Sequence, residues 1–255
     1  MNRRDALKQM GLGLAALALS AGPLQAMSSR HGKETSSSSQ RKLKTGNNMK
    51  VIIINGSPRK GWNTDLMLKE AEKGAIEAGA ETEYVNLYDL QFSGCKSCFA
   101  CKVRDGKSLG HCAINDGLKP ILDKIDAADA LIMGSPIYFS DITAECRAFF
   151  ERLMFQYLNY EGQRFNDGKL KVGVIYTMNA PEGYMDYLYK NYERLFGMFF
   201  NYVGHVAATE TLQTNNYDRY YLGKKSEQYK LERREKQFPI DLKNAFDLGK
   251  KIVTE

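Results

Sequence analysis

The chain has 255 residues, 43% of them apolar, with 36 lysines and arginines against 30 aspartates and glutamates. That is enough for one sizeable α/β domain with appendages. The formal charge of +6 belongs to the beginning: residues 1–26 hold three basic groups and one acidic, residues 27–48 five and one, and residues 49–255 hold 28 of each. A neutral globular part lacks the basic footprint of a nucleic-acid binder, so no nucleic-acid partner is expected.

Residues 1–26 read as an export signal. Arg3-Arg4 precede an apolar run from Met10 to Ala21, and Leu24-Gln25-Ala26 is an acceptable cleavage site. The paired arginines resemble a twin-arginine signal, although Asn2 stands before them and Ala6 where a Phe is common. The run is too short for a membrane span, so the expectation is a periplasmic protein with no span after signal removal. A start at Met49 would instead give a cytoplasmic protein. Residues 27–48 are polar, basic and aperiodic, and read as a disordered linker before a domain over 49–255.

Val51-Ile52-Ile53-Ile54 is a run of β-branched residues, the pattern of a buried parallel strand. Asn55-Gly56-Ser57-Pro58-Arg59-Lys60-Gly61-Trp62 follows as a turn, and Asn63 and Thr64 are residue types that cap helices. A strand running through a polar loop into a helix N-terminus makes an anion site. The loop is not a Walker A motif, because Trp62-Asn63 stands where Lys and Ser or Thr are needed. It also lacks the glycine fingerprint of a dinucleotide site. Ser57, Arg59, Asn63 and Thr64 suit a phosphate monoester held mostly by neutral donors.

A helix is expected over 64–78, ended by Gly79, and a strand over 82–87. Residues 88–116 form a long loop with Cys95, Cys98, Cys101 and Cys112. A helix over 118–127 leads to a strand over 130–134 and the turn Ser135-Pro136-Ile137-Tyr138-Phe139. Backbone N–H groups of such a turn can bond the polar edge of a ring, and Tyr138 or Phe139 offers a flat apolar face. Further on come a helix over 144–157, with Cys146 as a packed core thiol and Glu151-Arg152 as a structural ion pair, and a strand over 171–177. Thr177-Met178-Asn179 is a third contact loop. An aromatic helix over 184–202, a strand over 206–211, a charged Tyr-rich segment over 213–236 and a closing helix over 242–253 complete the domain. The aromatic residues of 184–202 exceed what one helix face needs, so a homodimer or higher homo-oligomer is expected.

Alternating strands and helices imply a doubly wound parallel sheet. For five strands the natural order is 2-1-3-4-5, which opens a crevice at the carboxyl ends of strands 1 and 3. Both Pro-containing turns lie there.

Cys-x2-Cys-x2-Cys is a ferredoxin-like spacing, suited to three corners of a [4Fe–4S] cluster with Cys112 as a remote fourth ligand. Zinc and disulfides or free thiols are the other readings of the same four residues. Export favours oxidised thiols, an objection that cluster insertion before twin-arginine export removes. His111 beside Cys112 reads as a surface residue or a substitute ligand.

The segments Gly56-Ser57-Pro58-Arg59 to Asn63-Thr64 and Ser135-Pro136-Ile137-Tyr138 resemble the phosphate loop and ring-binding turn of the NAD(P)H-dependent FMN reductase family, over roughly residues 50–212 and the last helix. The resemblance implies a flavodoxin-like fold and FMN as cofactor. Its phosphate would lie on Ser57, Arg59, Asn63 and Thr64, and its ring against Pro136, Ile137, Tyr138 and Phe139, with Thr177 and Met178 nearby. The cysteine loop is similar to that of the iron–sulfur flavoprotein branch, although ten residues separate Cys101 from Cys112, more than that branch leads one to expect. The implied function is an oxidoreductase in which NAD(P)H reduces the flavin and electrons pass to a small-molecule or protein acceptor, with a cluster as relay. The alternative is an electron carrier that does not oxidise NAD(P)H. No catalytic acid or base is implied, because the flavin supplies the chemistry.

Overall fold

The computed structural model describes residues 48–162 and 164–255. The leader expected over 1–26 and the linker residues 27–47 lie outside the described residues. The strands are β1 (Lys50–Asn55), β2 (Glu81–Asn86), β3 (Ala130–Tyr138), β4 (Asp141–Ile142), β5 (Lys171–Thr177) and β6 (Asn201–Ala208). The helices are α1 (Asn63–Glu77), α2 (Lys119–Ala127), α3 (Ala144–Tyr157), α4 (Asp186–Gly197), α5 (Glu227–Lys236) and α6 (Phe238–Thr254).

The sheet order is β2-β1-β3-β5-β6, with every pair in that path parallel. This is the expected five-strand order, since β4 is only a two-residue hairpin partner of β3. The period-2 alternation of β1 divides the core. Ile52 and Ile54 join the cluster beneath α2, α3 and α4. Val51 and Ile53 join the cluster beneath α1 and α6. On that second face α1 and α6 touch backbone to backbone. A Cβ on Gly249 would lie 1.9 Å from the Ala71 carbonyl oxygen, and one on Gly74 would lie 2.0 Å from that of Phe246. Only glycine permits this approach.

Three expectations shift. β3 continues to Tyr138 rather than ending at 134, because β5 still pairs with it at Ser135 and Pro136. The β1 ladder ends at Gly134, so Pro136 falls where β3 is an edge on that side and its missing N–H is tolerated. The aromatic helix is shorter than expected and the last strand begins earlier, at Asn201. Phe199 and Phe200 are buried in the connection between them, so their aromatic character reflects tertiary packing and not a continued helix face. The segment over 213–236 contains short 3-10 turns at Tyr217–Arg219 and Lys224–Ser226 and then α5. Among the described residues, no helix is long and apolar enough to cross a membrane.

Candidate functional site: a cleft at the β1–β3 crevice and a cysteine cavity beside it

The loop after β1 is held by a buried polar network. Gly56 N–H donates to the Gly134 carbonyl at 2.8 Å, tying β1 to β3 where the two strands part. A Cβ on Gly56 would stand 2.8 Å from Cys146 Cβ, so glycine lets α3 pack against the loop. Asn55, fully buried, accepts from Ser57 N–H at 2.9 Å and donates to Asp65 at 3.1 Å and Asn86 at 3.0 Å. Ser57 Oγ accepts from Arg59 N–H at 3.2 Å, closing the turn.

Asp65 is the centre of this network. Its carboxylate accepts from Gly61 N–H at 2.7 Å and Tyr84 OH at 2.7 Å, and pairs with Lys69 at 2.8 Å. Burial alone would raise its pKa. The hydrogen bonds from Lys69, Tyr84 and Gly61 outweigh that and hold the carboxyl below its ordinary range. Burial and the neighbouring Asp65 push the Tyr84 phenol well above its usual value, so it stays a donor.

The expected capping by Asn63 or Thr64 does not occur. The N-cap is Trp62, with no side-chain cap bond. Asn63 instead donates to the Leu212 carbonyl at 2.9 Å and accepts from Arg234 at 2.8 Å. Thr64 Oγ1 lies 2.7 Å from Thr177 Oγ1, across the crevice. The first-turn N–H groups of α1, which no helix satisfies internally, are therefore not consumed by a side-chain cap at Trp62.

A cleft of about 280 Å³ opens at this point. Nine of the ten residues expected to hold the cofactor line it: Ser57, Arg59, Asn63, Thr64, Pro136, Ile137, Tyr138, Thr177 and Met178. Phe139 does not; it sits fully exposed at φ +48°, in the turn to β4. Arg59 lines the cleft but spends its guanidinium elsewhere, donating to the Gln213 carbonyl at 2.8 Å and stacking 3.6 Å over the Trp62 ring. Sequence reasoning missed Trp62, Thr211, Leu212, Gln213 and Leu222, which close one wall. The segment after β6 thus straps the phosphate-loop region through Arg59, Asn63 and Arg234. Its first three residues follow the carboxyl end of a sheet strand, the one available signal for them. Hydroxyl and amide groups gather at the β1 end, and Pro136, Ile137, Tyr138 and Met178 give an apolar side. That donor set fits a phosphorylated ring such as FMN.

The four clustered cysteines converge. Cys95, Cys98, Cys101 and Cys112 all line one small cavity, closed by Phe99, Ile114, Arg152, Phe155 and Gln156. No disulfide joins any of the five cysteines, and Cys146 is buried in the core as expected. Among the described residues, no three His, Cys, Asp or Glu side chains stand close enough to hold a metal ion as placed. The donor chemistry nonetheless suits a thiolate-ligated cluster: four sulfurs, no carboxylate in the lining, and the cations Arg152 and Lys102 beside them. Ser97 and Phe99 take left-handed backbone conformations, at φ +50° and +56°. Backbone strain of this kind is common in ligand clamps. His111 stands outside this lining and faces Asp126 at 3.6 Å.

The expected Glu151–Arg152 pair is replaced by two others. Glu151 pairs with Arg147 one turn back, and Arg152 pairs with Asp116 at 2.6 Å. Burial would raise the Asp116 carboxyl, but Arg152 and the Ser93 N–H hold it below its usual range.

The family model for NADPH-dependent FMN reductase matches residues 49–210, most of the chain. The chain belongs to that family. An iron–sulfur flavoprotein of Methanocaldococcus jannaschii is 40% identical over 104 residues, covering 41% of this chain and 51% of that protein. An iron–sulfur flavoprotein of Methanosarcina thermophila is 36% identical over 104 residues, covering 41% of this chain and 52% of that protein. The chain thus spans about half the length of the curated relatives it matches. Among solved structures, an NAD(P)H:quinone oxidoreductase from Methanothermobacter marburgensis superposes with a TM-score of 0.58 at 17% identity, covering 80% of this chain and 98% of the other. At that identity the likeness reports the fold, which is flavodoxin-like. The family match ends at residue 210, so the strap over 211–222 lies wholly beyond it.

Proposed function

We propose that the protein is an FMN-dependent oxidoreductase that takes electrons from NAD(P)H and passes them to an acceptor, with a [4Fe–4S] cluster on Cys95, Cys98, Cys101 and Cys112 as relay. The observation that carries the flavin reading is the meeting of Ser57 to Thr64 with Pro136 to Tyr138 across one cleft at the carboxyl ends of β1 and β3. Bound FMN would supply the two-electron to one-electron chemistry. The residues of this chain bind and orient it. Ser57, Asn63, Thr64 and the first-turn N–H groups of α1 hold the phosphate. Pro136, Ile137, Tyr138 and Met178 flank the ring. The strap from Thr211 to Leu222 keeps water from one side.

The iron–sulfur flavoprotein names of the relatives and the convergence of four thiols support the cluster. The same convergence favours a second reading, an electron carrier that holds both groups but does not oxidise NAD(P)H. Anaerobic mixing of the flavin-loaded protein with NADPH or NADH separates them. Rapid bleaching of the flavin band supports the oxidoreductase. A flavin that stays oxidised with both nucleotides, yet is reduced by a low-potential electron carrier, supports the second reading.

A further inference from the structure

Helix α3 joins the two candidate sites. At its start Thr143 Oγ1 donates to the Gly56 carbonyl at 2.6 Å and accepts the Cys146 N–H at 3.3 Å. Near its end Arg152 and Gln156 turn to the cysteine loop. Gln156 Oε1 accepts the Cys112 backbone N–H at 3.0 Å. Arg152, with a side chain wholly removed from solvent, spreads its donors over four groups. Nη1 reaches both Asp116 oxygens, at 2.8 and 2.6 Å, and the Ser93 carbonyl at 3.3 Å. Nη2 reaches the Ile114 carbonyl at 3.1 Å. Nε donates to Cys112 Sγ at 3.3 Å.

A structural ion pair with Asp116 accounts for Nη1 and leaves Nε unexplained. A thiol sulfur is a weak acceptor for a buried cation, whereas a sulfur bearing negative charge is a good one. Hydrogen bonds and positive charge at ligating sulfurs stabilise the more electron-rich state of a bound group. Lys102 is taken up by the Phe155 and Gln156 carbonyls at the end of α3 and so does not replace Arg152 at Cys112.

We propose that Arg152 is a positioning residue that fixes the Cys112 sulfur as the fourth ligand of the cluster and raises the cluster's reduction potential. Asp116 opposes it, partly neutralising the guanidinium and setting how much positive charge the sulfur senses. The inference rests on the cluster reading given above.

The test is a redox titration of the anaerobically purified full chain, following the iron–sulfur absorption, with iron and sulfide counts and the rate of iron loss to a chelator. Arg152→Gln is expected to shift the cluster midpoint to more negative potential and to speed iron loss severalfold, with FMN content unchanged. Asp116→Asn is expected to shift the midpoint the opposite way, because it leaves the arginine charge uncompensated. A merely structural pair would make both variants lose iron with no opposed shift in potential. Unchanged midpoints, or shifts of the same sign, overturn the proposal while leaving the cluster reading intact. If Arg152→Gln does not fold, the sign of the Asp116→Asn shift decides alone. A wild-type protein that holds no iron and sulfide overturns the cluster reading and this proposal together.

Discussion

Replacing Asp65 by Asn changes no volume and removes one charge, and the structure gives its cost. The carboxylate accepts from Asn55 and Tyr84 on one oxygen and from Gly61 N–H and Lys69 on the other. An amide has one acceptor and presents an NH2 group in place of the second. Whichever way it turns, that NH2 meets two donors. The loss is at least one charge-assisted bond and one buried donor left unpaired, about 2–4 kcal/mol in all. The pH dependence follows from the lowered pKa. Below the ordinary carboxylate value of about 3.9 the unfolded chain takes up the proton first, because the folded carboxyl titrates lower. The contribution of Asp65 is therefore complete above about pH 5 and fades as pH falls through the folded pKa. Urea unfolding at pH 7 should show the variant less stable by the amount above, and the gap should narrow on acidification toward pH 3. A gap under about 0.5 kcal/mol at pH 7, the range of a neutral surface change, would show that the Asp65 charge does not hold this network together. So would a gap that does not change with pH.

Gly249→Ala places a Cβ against the Ala71 carbonyl oxygen and should lower stability by about 3 kcal/mol or more, read as a fall in Tm; an unchanged Tm would contradict the close packing of α1 on α6. Phe139→Ser should leave FMN affinity within about twofold, well under the tenfold that 1.4 kcal/mol produces, because the side chain is exposed and outside the cleft; a large loss would restore it as a ring contact. Burial pushes the Cys146 thiol up to about 12, so alkylation of metal-free protein near neutral pH should label exposed Cys98 and spare Cys146 until the chain unfolds. Early labelling of Cys146, located by peptide mass, would show that the loop after β1 does not close over it.

Much of the architecture was legible because it rests on local pattern. The β-branched run at 51–54, the helix at Ala144–Tyr157 and the strand at Lys171–Thr177 each carry their own period, and the structure returns them at the expected bounds or within a residue or two. The cleft was legible because two Pro-containing turns follow strands that the fold must place side by side. What stayed hidden depends on partners distant in sequence. Asp65 reads as an ordinary first-turn acid, and its role comes from Asn55 and Tyr84 on two neighbouring strands. The strap over 211–222 carries no motif, and it is positioned by Arg59 and Asn63. Arg152 looked like a partner for its neighbour Glu151. Burial turned it toward Asp116 and Cys112, a choice that sequence adjacency does not reveal.

Calorimetric titration of flavin-free protein with FMN and with riboflavin tests whether the loop from Ser57 to Thr64 grips the phosphate of FMN at the β1–β3 crevice. One FMN should bind per chain, and riboflavin, which lacks the phosphate, should bind more weakly by roughly 100-fold, as expected for losing two charge-assisted bonds. Equal affinity for the two, or no binding of FMN, would contradict that grip.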